Sequence, residues 1–352
     1  MAIKRKIKVL VVDDSLLFRE TIARGLALDD GLEIVGTACD PFAARDMIVE
    51  LEPDVLTLDV EMPKMSGIEF LRRLMPQYPM PVVVVSSVSQ NVFEALNAGA
   101  VDFVTKPGPD NSSSMESLIR ELVIKIKIAS TAKVGGLKHI AAPVARINAG
   151  ANCDLIAIGA STGGTEAICS LLMNFPRNMP PMVIVQHMPP VFTQMFADRL
   201  NNSCGSLQVR EAVDCVEILP GQAWLAAGDH HLTVRRSGGK LYLHSKPGDR
   251  VNGHCPSVDV LFNSVAALQK DKLSTIGIIL TGMGYDGAKG LLAMRKAGAM
   301  TICQDEATSI VYGMPKVAWD IGAGVKQAPL HQIHELVLAA MSSAGRIPDA
   351  AE

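Results

Sequence analysis

The stretch Asp154-Leu155-Ile156-Ala157-Ile158-Gly159-Ala160-Ser161-Thr162-Gly163-Gly164 decides how this chain folds. Asp154–Ile158 reads as a buried strand and Thr165–Leu172 as the helix after it. Ser161 therefore sits on a tight strand-to-helix turn flanked by glycines. Such a turn lifts a hydroxyl off the end of a sheet and aims helix N–H groups at whatever approaches it. Gly159 to Gly163 spell G-x-S-x-G, and Ser161 is read as a nucleophile. A dinucleotide site ranks lower, because Ser161 stands where G-x-G-x-x-G needs its second glycine.

Downstream, strand–helix alternation continues. Met182–Gln186, Gln208–Glu211, Thr275–Leu280 and Met300–Gln304 are predicted strands. Phe192–Asn201, Val258–Gln269, Ala288–Ala297, Pro315–Trp319 and Leu330–Met341 are predicted helices. Leu232–Arg235 and Lys240–His244, joined by Ser237-Gly238-Gly239, predict a β-hairpin. His187 ends one strand and Asp286 follows another, within Thr281-Gly282-Met283-Gly284-Tyr285-Asp286-Gly287. Parallel strands share one carboxyl edge, so Ser161, His187 and Asp286 can meet there. A serine needs an imidazole to take its proton, and the imidazole needs a carboxylate to fix its tautomer. Backbone N–H groups at Thr162 and Met283 are candidate oxyanion donors, since the glycines beside them allow close approach.

Each residue also has a plainer account. Asp286 alone reads as a cap for the helix near Ala288, and His187 alone as a satisfied strand-end histidine. His230-His231 read as a solvated turn, and His254 as the opening of a helix near the cleft. The order Ser, His, Asp also differs from that of α/β-hydrolases, so the motif does not imply that fold.

Upstream, residues 7 to 128 make five β-α repeats. Strands are predicted at Ile7–Val12, Glu33–Ala38, Val55–Leu58, Val82–Val85 and Asp102–Thr105. Helices are predicted at Ser15–Ala27, Pro41–Leu51, Gly67–Met75, Asn91–Ala98 and Met115–Ile128, the last with a capping box of Ser113 and Glu116. This pattern implies a parallel doubly wound sheet. Asp13, Asp14, Asp59, Ser86 and Lys106 fall at strand ends. Three carboxylates on one edge call for a hard cation such as Mg²⁺. Lys106 and Ser86 are suited to receive a phosphoryl group, with Asp59 as the carboxylate nucleophile.

The stretch 129–151 is rich in small residues, Gly and Pro, and reads as a linker. The expected division is 1–128, 129–151 and 152–352. The fold class is α/β, with two doubly wound parallel-sheet domains: a flavodoxin-like one, then a Rossmann-like one with a β-hairpin insertion. A length of 352 residues fits two domains. A net charge of -3 with no basic recognition helix argues against nucleic acid. The apolar runs are strand-length, so no membrane insertion is expected. Seven cysteines in no paired spacing fit reduced thiols in a cytoplasmic protein.

The first third resembles a response-regulator receiver domain through Asp13-Asp14, Leu58-Asp59-Val60-Glu61-Met62-Pro63, Gly67, Ser86 and Phe103-Val104-Thr105-Lys106-Pro107. That resemblance implies phosphorylation of Asp59 by a histidine kinase, and it puts Phe103 at an aromatic switch position. The whole chain resembles chemotaxis protein-glutamate methylesterases through Gly159–Gly164, Gln186-His187-Met188-Pro189-Pro190, Pro256–Phe262 and Leu280–Ala288. This second resemblance implies hydrolysis of glutamate methyl esters on methyl-accepting chemoreceptors, with release of methanol. It also implies deamidation of certain receptor glutamines. Mg²⁺ would serve only the receiver, and no cofactor the esterase step. The other reading is a response regulator whose second domain only binds.

Overall fold

A computed structural model describes residues 5–87, 89–107, 114–135, 153–268 and 272–342. The chain divides into two compact units, Met1–Leu137 and Lys138–Glu352.

The first unit runs β1 (Ile7–Val12), α1 (Leu16–Leu26), β2 (Leu32–Ala38), α2 (Pro41–Leu51), β3 (Val55–Asp59), α3 (Gly67–Leu74), β4 (Val82–Ser86), α4 (Ser89–Asn97), β5 (Asp102–Thr105) and α5 (Met115–Ala129). Its five parallel strands lie in the order β2-β1-β3-β4-β5. All of β3 and β4 is buried. Such strands, covered on both faces, read as continuous Val/Leu runs. Each fully buried Val or Leu contributes about 1.5–3 kcal/mol. The order reverses between β1 and β3, so a crevice opens beyond their carboxyl ends. Ser113 lies outside the described residues. The cap of α5 is Ser114, whose hydroxyl accepts from the Ser117 N–H at 3.2 Å.

The second unit contains β6 (Leu155–Ala160), α6 (Gly164–Met173), β7 (Met182–Gln186), α7 (Pro190–Ser203), β8 (Gln208–Glu211), β9 (Val216–Glu217), β10 (Gln222–Leu225), β11 (His230–Ser237) and β12 (Lys240–Pro247). It continues with α8 (Val258–Ala267), β13 (Thr275–Ile279), α9 (Ala288–Lys296), β14 (Met300–Gln304), α10 (Met314–Asp320), β15 (Lys326–Ala328) and α11 (Leu330–Ser342). Seven parallel strands lie in the order β15-β14-β13-β6-β7-β10-β8. The chain enters at β6, builds outward through β7, then returns to the other side at β13. The switch point thus lies between β6 and β13.

Three strands were not expected: β9, β10 and β15. The hairpin is longer than expected on both arms, and β9 joins it in a separate three-stranded sheet, β11-β12-β9. β10 enters the main sheet between β7 and β8 with no helix before it. Residue 269, the expected end of α8, lies outside the described residues, as does most of the linker expected at 129–151. Among the described residues, no helix is long and apolar enough to cross a membrane.

Candidate active site and phosphorylation site

Ser161, His187 and Asp286 follow β6, β7 and β13, three neighbouring strands of one parallel sheet. The Ser161 N–H donates to the Thr281 carbonyl (3.0 Å), and the His187 N–H to the Ala160 carbonyl (3.1 Å). These bonds carry the ladder one step past the strands and fix the two backbones side by side. A Cβ on Gly282 would stand 2.7 Å from that of Ser161, so only glycine lets the loop after β13 come this near.

His187 Nε2 lies 2.9 Å from Asp286 Oδ2. A carboxylate only accepts, so Nε2 carries the proton and Nδ1 keeps its lone pair. That Nδ1 is buried and has no hydrogen-bond partner. The strand-end histidine is therefore satisfied on one side only. No hydrogen bond joins it to Ser161 here. Such bonds often tighten only when substrate binds.

Asp286 does not cap the helix that follows it. Gly287 is the N-cap of α9 and gives no side-chain bond. The Asp286 carboxylate instead sits at the start of α8, accepting from the Val258 N–H (2.7 Å) and the Asp259 N–H (3.2 Å). The Ser257 hydroxyl and the Asn252 amide each donate to it at 2.8 Å. Burial alone would raise its pKa. The donors, His187 and Asn252 foremost, outweigh burial and hold it well below the usual carboxylate range.

Asn252 reaches Asp286 through a turn. Val251 and His254 exchange both backbone hydrogen bonds, at 2.9 and 3.0 Å. Between them Asn252 (φ 54) and Gly253 (φ 86) are both left-handed. This is the two-residue hairpin that Asn-Gly favours. The turn also lays the His254 ring flat on His187, with centroids 3.7 Å apart and planes 7° from parallel. Burial, then the neighbouring His187, pull His254 from its usual 6.5 to about 4. It is therefore neutral at pH 7.

Below about pH 6.5 the unfolded chain takes up this proton before the folded chain does. The stability His254 contributes is therefore complete above about 6.5 and lost as pH falls toward 4, up to about 3 kcal/mol. Melting wild type and His254→Asn between pH 4 and 7 should show a shallower decline in the variant. Parallel curves would contradict this.

The loop donors differ in state. Met283 is 45% exposed, and its N–H donates to none of the described residues. Thr162 is buried, and its carbonyl accepts from the Thr281 hydroxyl at 3.0 Å. Gln186, which sequence reasoning passed over, is buried and donates to the Ser161 and His187 carbonyls (2.9 and 3.2 Å). It ties the ends of β6 and β7 together. His230-His231 open β11 rather than a solvated turn. His231 accepts from the Ser257 N–H at Nδ1 (3.3 Å) and meets the Asp249 carbonyl at Nε2 (2.7 Å).

In the first unit, Asp13 follows β1 and Asp59 ends β3, either side of that sheet's switch point. Lys106 Nζ bonds both, at 2.8 and 2.7 Å. The carboxylates of Asp13, Asp14 and Asp59 each offer an oxygen within 4.8 Å of the others. Three carboxylates against one ammonium leave excess negative charge. Burial, helped by Asp13, accordingly raises the Asp59 pKa despite Lys106. An all-oxygen, anionic donor set fits a hard cation such as Mg²⁺. Burial would lower the Lys106 pKa, but its two carboxylate partners carry it above the usual value. Ser86 is buried at the end of β4, and its carbonyl accepts the Lys106 N–H at 2.9 Å. Phe103 is buried on β5, with Lys125 Nζ 4.8 Å from its ring centroid. Glu61, two residues past Asp59, donates its N–H to Asp59 (3.2 Å) and accepts from the Ser87 hydroxyl (2.9 Å).

Residues 156–337 match the model of the CheB methylesterase family, and residues 9–118 that of the response regulator receiver domain. The chain is 55% identical to protein-glutamate methylesterase/protein-glutamine glutaminase 2 of Syntrophomonas wolfei, over 94% of this chain and 96% of that one. It is 52% identical to the protein-glutamate methylesterase/protein-glutamine glutaminase of Syntrophotalea carbinolica, over 90% of this chain and 93% of that one. The crystal structure of the Thermotoga maritima CheB methylesterase catalytic domain is similar at a TM-score of 0.51 and 37% identity. That match covers 53% of this chain and 98% of the other.

Proposed function

The chain belongs to the CheB methylesterase family and carries a response-regulator receiver domain, and on that premise we propose that it is a phosphorylation-controlled serine hydrolase of chemoreceptors. It cleaves glutamate methyl esters on methyl-accepting chemoreceptors, releasing methanol, and converts specific receptor glutamines to glutamate. We assign the receiver to 1–128, the linker to 129–151 and the catalytic domain to 152–352.

The observation that carries the reading is the half-satisfied His187. Its Nε2 faces Asp286 at 2.9 Å and its Nδ1 is buried and unbonded. As the Ser161 hydroxyl attacks the ester carbonyl, Nδ1 takes its proton, and the carbonyl oxygen becomes an oxyanion. The Thr162 and Met283 N–H groups receive that charge. Losing one such donor costs about 2.7–4 kcal/mol of barrier. The imidazolium returns its proton to methoxide, and methanol leaves an acyl-enzyme. Water, deprotonated by the same nitrogen, then frees the glutamate and regenerates Ser161. With a glutamine substrate, ammonia leaves instead. Asp286 orients His187 and stabilises its charged form. His254, neutral and stacked, holds the ring plane as the charge comes and goes.

In the receiver, Asp59 accepts the phosphoryl group from a histidine kinase. Asp13, Asp14 and Asp59 would hold Mg²⁺, which screens phosphoryl charge when bound. Lys106 and Ser86 bond the phosphoryl oxygens, and Phe103 reports the change.

Methanol release from methylated receptor membranes, with and without a small phosphodonor and Mg²⁺, tests both halves. Wild type should release methanol faster with phosphodonor. Asp59→Asn should lose the phosphodonor-dependent increment. An increment that survives in Asp59→Asn would remove Asp59 from control. No release from a competent receptor under any condition would favour a second domain that only binds.

A further inference from the structure

Asp214, Cys215 and His244 lie in the small β11-β12-β9 sheet and have no part in either site above. We infer that they form a site for a borderline divalent transition-metal ion of the Zn²⁺ class.

The sequence places the three together through strand register. β12 and β9 pair antiparallel, with Leu243 opposite Val216. The Cys215 N–H donates to the Leu243 carbonyl at 3.0 Å and extends that ladder. Cys215 is left-handed (φ 59), the extra residue where the turn meets the strand, and that bond holds it beside His244, the residue after Leu243. Asp214 follows in the turn, where the Ser245 N–H holds its Oδ1 at 3.2 Å.

One ligand atom from each of the three lies within 4.8 Å of the others. His244 Nδ1 is 3.8 Å from Cys215 Sγ and 3.3 Å from Asp214 Oδ1. Around a tetrahedral Zn²⁺ with ordinary bond lengths, the S···N and N···O edges are about 3.6 and about 3.4 Å. Both edges match within a few tenths of an ångström, and the third, sulfur to carboxylate oxygen, lies within 4.8 Å. Without an ion, the Cys215 thiol and the His244 ring both turn to the Asp214 carboxylate. A cation between the three uses a lone pair from each.

The donor types choose the metal. Thiolate and imidazole favour a borderline ion over Mg²⁺ or Ca²⁺. Lys246 is near enough to act on Asp214. Its charge opposes a bare dication, and the two anionic ligands offset it. Asp214 and Cys215 are exposed, which leaves a fourth position for water. Filled, the site ties the Asp214-Cys215 turn to β12, the strand that leads into the turn carrying Asn252 and His254.

The test is Co²⁺ titration of the reduced full chain in excess Mg²⁺, which keeps the receiver carboxylates occupied. The readout is the thiolate-to-cobalt charge-transfer band, followed by Zn²⁺ competition. One equivalent should bind with that band. Cys215→Ser should abolish the band, and His244→Ala should weaken binding at least about tenfold, the loss of one of three protein ligands. Cys39→Ser removes the other exposed cysteine and should change nothing. A band that survives Cys215→Ser, or no band in wild type at tenfold excess, overturns the site. Neither result depends on esterase activity.

Discussion

Ser161→Ala should lower methanol release about 10⁴- to 10⁶-fold, the range over which removing an activated serine acts, while leaving the fold intact. The substitution deletes one oxygen. The backbone of Ser161 is held by bonds that alanine keeps: its N–H donates to the Thr281 carbonyl, and its carbonyl accepts from Gln186 and the Gly164 N–H. The hydroxyl bonds none of the described residues, so no buried partner is orphaned. Stability should stay within about 0.5 kcal/mol. A variant that melts normally, still binds receptor and releases no methanol is the expected outcome. Near-normal release would sink the serine assignment.

Asp286→Asn should damage both activity and stability, and the combination is what identifies the residue's place. Its two carboxylate oxygens accept five donors. Oδ2 takes His187 and the Val258 N–H, while Oδ1 takes Asn252, Ser257 and the Asp259 N–H. An amide has one acceptor oxygen and one NH₂. Whichever way it turns, at least two donors in a buried pocket meet another donor. Each unsatisfied group costs about 1–3 kcal/mol, so a loss of about 2–5 kcal/mol is expected in urea unfolding. The imidazole also loses the group that fixes its tautomer, worth about 10⁴-fold in rate. Ser161→Ala should share the second effect and lack the first. If Asp286→Asn unfolds more easily but turns over at the wild-type rate under folding conditions, Asp286 is a clamp on α8 and not a member of a triad.

Most of the candidate site positions were legible because parallel strands carry polar residues at their carboxyl ends. Ser161, His187, Asp13, Asp59, Ser86 and Lys106 were each found as polar residues closing an apolar run, and Asp286 in the loop that follows one. The sheet then brings those ends together without help from local sequence. Other parts were less accessible. β10 breaks the strand–helix alternation, because the chain reaches it from β8 through β9 in another sheet. β15 has three residues, too few for a period. The support of Asp286 and His187 comes mainly from Asn252–Asp259, a segment read as a helix opening near the cleft, with no role given to Asn252 or Ser257. A signal was present there: Asn252-Gly253 is a strong hairpin dipeptide, and the turn it makes aims Asn252 at Asp286 and stacks His254 on His187. That the N-terminus of α8, rather than α9, would take up Asp286 had no such mark. Both helices begin near a residue able to cap them, and only the packing of α8 against α9 and β6 decides between them.

Activation of Ser161 by His187 is tested most directly by labelling the full chain with a serine-directed phosphonate ester, followed by intact mass and peptide mapping. One adduct per chain on Ser161, absent from Ser161→Ala and formed far more slowly in His187→Ala, is the predicted result. An adduct on another residue, or none from a preparation that is releasing methanol, would contradict it.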